Sequence, residues 1–514
     1  MERISHLYHA LNRASETFSW STALSYVLIS LATVICLTRI LSARSAVSKA
    51  SGEHGAKSVP AVPYWLPLLG HLPNMIIDAE GFMQRLRQTY SEGAFALNFG
   101  GTTHNIFYTP GLATALVNEK ADRADSEEVA DGMLRSVFGF PKGDMVRYRP
   151  ARPEIMACYK LMLSEPGLGD WVAQAVKNIA ENVRDFVSFS TSPVDQTLWE
   201  RSSDVKLAVN AAGQEVMEAS LLPLVRGFCA HTAQPTLLGS DFLQNFPESV
   251  EQLWQLDRGF LLLALGMPRC LPIPMLTRAH IARRRLLQSL CAFHEAMEKN
   301  ATDQDPGVDW CNLHDVGTFV QVRTKIFRRY DWSIRARAAT DLALMWAANV
   351  NANTLIFWML NRIYADTDLL SSIRNEIAPY ARAVQPKQDL AIAESAWLDT
   401  FDVDSLCANC PLLKSCYIEC LRVDTASWSP KVVQQNFAIQ SRDKVAQGWS
   451  LKKGAYVHAA HDLHNTDPQY FPEPMLWKAD RHVRPSKDGE AETAEMGSIR
   501  PYGKHTGPSY RTTH

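Results

Sequence analysis

The sequence predicts a mainly α-helical protein with small β-sheets, carried behind an N-terminal single-pass membrane anchor. Three observations predict it. Long segments repeat apolar residues at spacings of three and four, the period of an amphipathic helix. Strand-like stretches are short and sit beside turn residues. Ahead of both, Thr17 to Thr38 is a run of 22 uncharged residues.

That run, TFSWSTALSYVLISLATVICLT, covers about 33 Å as a helix, enough to cross a bilayer. Trp20 and Tyr26 suit the membrane interface. The alternatives are a cleaved signal, with Ala43, Ser45 and Ala46 as a small-residue site interrupted by Arg44, and a buried core helix. Arg39, Arg44, Lys49 and Lys57 follow the run, whereas Arg3 and Arg13 before it are offset by Glu2 and Glu16. The positive-inside rule therefore puts the bulk of the chain on the cytosolic side. The chain divides into a lumenal segment 1–16, an anchor 17–38, a basic and proline-rich hinge 39–75, and one large domain 76–514.

Composition narrows the function. With 52 Lys and Arg against 54 Asp and Glu, the net charge of −2 removes the electrostatic case for nucleic acid as a partner. The 46% apolar and 21% charged residues match a packed globular protein. Ten scattered cysteines suit a reducing compartment.

After the anchor, VPAVPYWLPLLGHLP carries Pro60, Pro63, Pro67 and Pro73, which forbid continuous helix and favour a stiff extended collar. Phe82 to Tyr90 is predicted helical, and Ala94 to Leu97 and Asn105 to Tyr108 pair as strands around Gly100 and Gly101. Further helices are predicted at Trp171 to Phe189, Glu248 to Leu265, Ala279 to Lys299, Ile334 to Tyr364, Asp368 to Arg382 and Pro411 to Arg422. Strands are predicted at Val432 to Ile439 and Ala455 to Val457. The helix from Ile334 spans about 46 Å, long enough to cross a domain. Its uncharged middle, LALMWAANVNANTLIFWML, carries Asn349, Asn351, Asn353 and Thr354, which either bond internally or face a cavity.

In PLLKSCYIECLRVD, Glu419 and Arg422 stand at i and i+3 on one helix face, surrounded by apolar residues that favour burial and a further partner. Downstream, HDLHNTDPQYFPEPMLWKADRHVRP reads as a fixed irregular loop able to bring Arg481 to Glu419. Cys407, Cys410, Cys416 and Cys420 invite a zinc reading, but the last two share a helix with Glu419 and the middle gap is short for a knuckle. His458, His461 and His464 read as ordinary hydrogen-bonding histidines, and no metal-ligating set is assigned.

Taken in order across essentially the whole chain, the anchor, the PYWLPLLGHLP collar, the long helix with LALMWAANVNANTLIFW, Glu-x-x-Arg in ECLR, and FPEPMLWKADRHV resemble the cytochrome P450 family. Within it they resemble the microsomal, fungal and sterol-hydroxylase-like branch. The resemblance implies the cytochrome P450 fold for 76–514, and a buried network of Glu419, Arg422 and Arg481 behind the haem. Lys431, in SWSPKVV, stands where relatives carry an Arg on a haem propionate. Arg500 joins it as a cofactor-binding candidate, with Arg147 and Arg149 as weaker ones. In the central helix the family carries an acid followed by an alcohol, which relay protons during oxygen activation. Here Asn351 replaces the acid and Ala352 the alcohol, while Asn353 and Thr354 restore an amide and a hydroxyl close by, so Asn351, Asn353 and Thr354 are the catalytic candidates. An Asn in this place also resembles the branch with bile-acid and prostacyclin enzymes, some of which rearrange peroxides.

The chain departs from that pattern after Ile499, Arg500, Pro501, Tyr502 and Gly503, where it reads KHTGPSYRTTH. The resemblance places an iron-ligating cysteine near Ser509 and a long helix after it, whereas the last cysteine here is Cys420. The expectation is a haem-binding loop and last helix that are truncated, with the domain incomplete at its C-terminus. A serine hydroxyl gives iron none of a thiolate's electron push, and His505 or His514 is a remote substitute. The implied function is a membrane-bound haem-thiolate monooxygenase by descent, oxidising a small lipophilic substrate such as a sterol, terpenoid or other secondary metabolite. It implies haem b, electrons from NADPH through NADPH-cytochrome P450 reductase, and placement at the endoplasmic reticulum membrane. Impairment is expected as written, and the alternatives are a haem-free binding protein and a peroxide isomerase.

Overall fold

A computed structural model describes residues 20–48, 56–385, 396–441, 448–485 and 492–500. The chain folds as two units, one built from the segment up to Val129 with Ala426–Met475 and Ser498 onward, the other from Ala130–Thr425 with Leu476–Gly497. The whole is mainly helical with small sheets, as the sequence predicts.

In the first unit, helix α1 (Trp20–Ser48) presents Leu24, Val27, Ile29, Leu31, Leu37 and Leu41 outward. Over Leu24–Arg44 it is long and apolar enough to cross a membrane. The collar follows without helix, and α2 (Leu72–Thr89) begins with Pro73 in its first turn, where a missing N–H costs nothing. Asp78 leaves helical geometry (φ −154°, ψ 72°) and its Oδ1 accepts from Gly81 N at 2.8 Å, so α2 is two helices joined across a kink. Strands β1 (Ala94–Phe99) and β2 (Thr102–Phe107) form a hairpin whose turn glycines, Gly100 and Gly101, have φ of 60° and 83°. With β3 (Ala124–Asp125), β4 (Trp428–Val433) and β5 (Tyr456–Ala460) they make a five-stranded sheet of order β1-β2-β5-β4-β3. Only β2 and β5 run parallel, and the other pairs are antiparallel. Alternation along β1 buries Phe95 and Leu97 with Met83 and Leu86 of α2, and Ala94 and Ala96 against Leu112, Leu116 and Val457.

The second unit is helical, with its core around Leu253, Leu290, Phe293, Phe327, Trp332 and Leu342. It contains α3 (Leu221–Ala233), α4 (Ser249–Arg258), α5 (Pro274–Ala301), α6 (Thr318–Arg329), α7 (Ile334–Ala365) and α8 (Pro411–Val423). Ser333 caps α7, its side chain accepting from Ala336 N. Three of these helices share a fully buried ionic cluster: Asp341 of α7 accepts from Arg323 of α6 at 2.6 Å and lies 3.0 Å from His294 Nε2 of α5.

Several element boundaries differ from the sequence expectation. The predicted helix Glu248 to Leu265 breaks at Gly259, its C-cap at φ −95° and ψ 4°, and a short helix Phe260–Ala264 follows; only glycine fits there, since a Cβ would lie 2.3 Å from Ala279 Cβ. The helix predicted to run to Arg382 stops at Ile377, and Ala381–Val384 instead pairs with Trp397–Phe401. The segment Val432 to Ile439 is two strands in two sheets, β4 and Phe437–Ile439. Helix Gly167–Asn182 starts before Trp171 and tightens into a 3-10 turn before Phe189. The hairpin of Lys206–Val209 with Glu215–Glu218 was not foreseen.

Candidate functional site

In the second unit, α7 is buried along most of its first half, Ala336–Met345, and Ala347, Asn351 and Ala352 are exposed in its middle, ahead of exposed Ile356 and Trp358. The first three lie on one side of a 3.6-residue helix, and all three side chains are small and uncharged. The three catalytic candidates do not share that side. Asn351 is on the open face, whereas Asn353 is buried with Nδ2 unpartnered among the described residues. Thr354 donates to the Val350 carbonyl at 3.1 Å and accepts from Arg226 Nη2 at 3.1 Å.

Arg226 and its partner Asp257 were missed in the sequence, because they lie 31 residues apart on separate helices and Asp257 has Arg258 as a charged neighbour beside it. Arg226 of α3 lies 3.8 Å from Asp257 of α4 and 5.0 Å above the Trp254 ring, while Trp346 Nε1 of α7 donates to Asp257 at 3.1 Å. Burial pushes the Asp257 carboxyl up against the pull of Trp346 and Arg226.

Glu419 of α8 is fully buried. Arg422 clasps it through Nε and Nη2, each at 2.8 Å, and Arg481 Nε donates at 2.9 Å. Lys478 N adds a bond at 3.2 Å, and His482 Nε2 lies 2.9 Å from Oε2. Burial alone would raise the Glu419 carboxyl, but the hydrogen bonds from Arg422, His482 and Arg481 prevail and hold it down at about 2. His482 was overlooked although it directly follows Arg481 in ADRHV. Arg147 is taken up by Asp144 at 3.1 Å and Asp331 at 3.4 Å, and Arg149 is mostly exposed, 3.9 Å from Asp131.

In the first unit, Lys431 of β4 donates to the carbonyls of Glu119 at 2.8 Å and Val117 at 3.2 Å, on the wall of a cavity of about 510 Å³. Arg500 Nη1 donates to Thr114 at 2.7 Å, and its backbone N–H to Asn465 Oδ1 at 3.0 Å. Burial first, then the Arg500 charge, holds His461 down at about 4. Burial likewise lowers His464, against a bond to the Ser498 carbonyl. His458 is stacked on His104, with Nε2 2.9 Å from its Nδ1. Each of the three histidines at 458, 461 and 464 thus has its own partner.

Haem b is the group the resemblance implies. Within the second unit, the open face of α7 around Ala347, Asn351 and Ala352 is small and uncharged; within the first, Lys431 and Arg500 are cations of the kind that hold propionates, each bonded to groups of its own unit. The thiols do not suit the iron. Burial pushes Cys229, Cys416 and Cys420 up to about 12, and Cys416 and Cys420 lie on α8 beside the Glu419 network, not on the open face of α7. The segment around Ser509, where the resemblance places the ligand, lies outside the described residues, as do His505 and His514. Among the described residues no group of three His, Cys, Asp or Glu is placed to hold a metal ion.

No family model matches the chain. Among characterised proteins it is 23% identical over 512 residues to cytochrome P450 monooxygenase efuG of Hormonema carpetanum, covering 94% of this chain and 83% of that one. It is 21% identical over 450 residues to cytochrome P450 monooxygenase fsoE of Humicola fuscoatra, covering 86% and 70%. It is 25% identical over 265 residues to cytochrome P450 7A1 of Rattus norvegicus, covering 50% of this chain and 47%, about half, of the relative. The chain is thus similar, at low identity, to cytochrome P450 monooxygenases of fungi and of the cholesterol 7-alpha-monooxygenase group, and its mainly helical fold with small sheets agrees with that likeness.

Proposed function

We propose that the chain is by descent a membrane-anchored haem-thiolate monooxygenase that oxidises a small lipophilic substrate, a sterol, terpenoid or related secondary metabolite. The observation that carries this reading is the match to fungal monooxygenases over nearly the whole chain. The exposed apolar surface of α1 supports the anchor, and the lysines and arginines after it favour a cytosolic domain at the endoplasmic reticulum. Electrons come from NADPH through a partner reductase. When bound, the haem supplies the oxygen chemistry. In this chain Lys431 and Arg500 hold its carboxylates, Asn351 presents an amide in place of the usual acid, and Glu419, Arg422 and Arg481 stiffen α8. Thr354, tied to Val350 and Arg226, and Asn353, buried, act as positioning residues for α7.

The proposal includes impairment in the form of this sequence, because Ser509 stands where the resemblance places the ligating cysteine. The test is the full chain expressed in membranes, solubilised and reduced, with its carbon monoxide difference spectrum and haem content recorded. Substoichiometric haem without a thiolate-type band is expected. A full thiolate-type band overturns the impairment and leaves the monooxygenase reading intact. Absence of any haem favours the second reading, a haem-free lipid-binding relative. Turnover of a hydroperoxide without NADPH consumption would point to the isomerase.

A further inference from the structure

The junction between the anchor and the collar contains a cavity of about 440 Å³ that the monooxygenase reading leaves unused. Its walls come from Arg39 of α1, from Tyr64, Trp65 and His71, and from Phe82 and Tyr90. Arg39 and His71 are the basic groups on these walls, and no Asp or Glu lines them. The guanidinium of Arg39 donates to the Pro63 carbonyl and lies 5.1 Å from the Trp65 ring. His71 is 2% exposed. Its Nδ1 accepts from Asn98 N at 3.0 Å, which leaves the proton on Nε2, and that N–H has no partner among the described residues. The backbone acceptor that acts on His71 is the Pro63 carbonyl, which it shares with the Arg39 guanidinium, without a bond of good geometry to Nε2. A buried N–H without an acceptor is costly, so it asks for one.

The position says which acceptor. Arg39 immediately follows the uncharged run that ends at Thr38, at the level where the hydrocarbon of a bilayer gives way to phosphates. In and between the segments that line the cavity, Trp65, Leu68, Leu69, Ile76 and Ile77 are exposed, Ile77 by 83%. A soluble anion gains nothing from such a rim, whereas acyl chains do.

We propose that this junction binds one anionic phospholipid of the host membrane, its phosphate taken by Arg39 and the His71 Nε2–H and its chains lying along α1. The proposal rests on the anchor reading. The lipid would fix the angle at which the collar leaves the membrane.

The test uses the full chain in nanodiscs of phosphatidylcholine and phosphatidic acid in equal parts, with retained lipid counted by native mass spectrometry. The wild type is expected to keep one phosphatidic acid, enriched about tenfold over phosphatidylcholine, the scale of one charge-assisted hydrogen bond. Arg39→Gln should abolish the enrichment and Arg39→Lys keep part of it, with unchanged circular dichroism. Equal retention of both lipids, or enrichment that survives Arg39→Gln, overturns the proposal. Loss of the enrichment on adding inorganic phosphate also overturns it, showing a free-anion site instead. Failure of the chain to float with liposomes removes the anchor reading and this proposal together, whereas flotation without lipid preference removes only this one.

Discussion

The two units treat buried histidines and carboxylates differently. The first keeps its histidines neutral and draws a carboxyl toward neutrality. Burial holds His104 down at about 4, His458 at about 3 and His461 at about 4, and pushes Asp462 up to about 6. The second keeps its buried carboxylates charged and paired, as in Glu419 with Arg422 and Arg481, and Asp341 with Arg323, while its buried thiols stay protonated. The difference follows from architecture. A sheet layer receives single polar side chains at alternate positions, where a neighbouring hydroxyl or carbonyl is the available partner. Helices crossing one another bring long side chains from separate segments to one point, so an Arg can meet a carboxylate. Paired buried charges add little net stability over apolar packing, but they make every partner indispensable once the set is present.

The largest effect that could break this comparison lies in the Asp341 cluster. Arg323→Met or Asp341→Leu alone leaves a buried charge without its counterpart, and each should cost about 3–5 kcal/mol. The double substitution should recover most of that loss, giving a coupling energy well above that of a surface pair. Thermal melts of the four proteins measure it. Additive losses would mean that the cluster is held by packing, and the contrast between the units would reduce to composition.

A smaller effect concerns acid. A histidine whose folded value lies below its unfolded 6.5 contributes stability that is complete above pH 6.5 and lost as pH falls toward the folded value. His104, His458 and His461 all act in this direction. Asp462 acts in the other, since a raised carboxyl contributes fully below 3.8 and loses that contribution as pH rises through about 6. Glu419, depressed from 4.5 to about 2, keeps its contribution above pH 4.5 and surrenders it only below. The first unit should therefore loosen before the second. Hydrogen exchange at pH 7.5 and pH 5, read peptide by peptide, should show protection lost first in β2 and β5. His458→Phe sharpens this. It should cost about 1 kcal/mol at pH 8 through the lost contact with His104, and stand about 1 kcal/mol above wild type by pH 5, since wild type loses about 2 kcal/mol over that range. No crossover would mean that His458 is protonated in the fold.

The same contrast explains what the sequence made legible. Periodicity exposes helices with long uncharged centres, and α7 is the plainest of them. Contacts fixed by local spacing, such as Glu419 to Arg422, can be read directly, because i and i+3 are neighbours on any helix. Roles cannot, since Asn351, Asn353 and Thr354 are adjacent in sequence but point to different surroundings. Contacts between segments far apart leave no local trace. Arg226 and Thr354 are 128 residues apart, and nothing near either announces the other. The need for glycine at Gly259 depends on Ala279 pressing against it, and the strand at Ala381–Val384 on a partner beyond the intervening chain.

The smallest effect tests the exception in the second unit. Asn349 and Asn353 stand one turn apart on α7, are 1% and 4% exposed, and bear no charge. Asn349 Nδ2 donates to the Met345 carbonyl at 2.8 Å, but its Oδ1, like the Nδ2 of Asn353, has no partner among the described residues. If packing alone governed this face, leucine at either position would remove an uncompensated polar atom, and stability should rise by about 1 kcal/mol per site. Melting of Asn349→Leu, Asn353→Leu and the double variant measures it, with the two gains adding only if the sites are independent. A loss instead of a gain would mean that the amides are satisfied by ordered water, which leucine expels. The second unit would then also hold neutral polar groups by design, and the division between the units would rest on its charged residues alone.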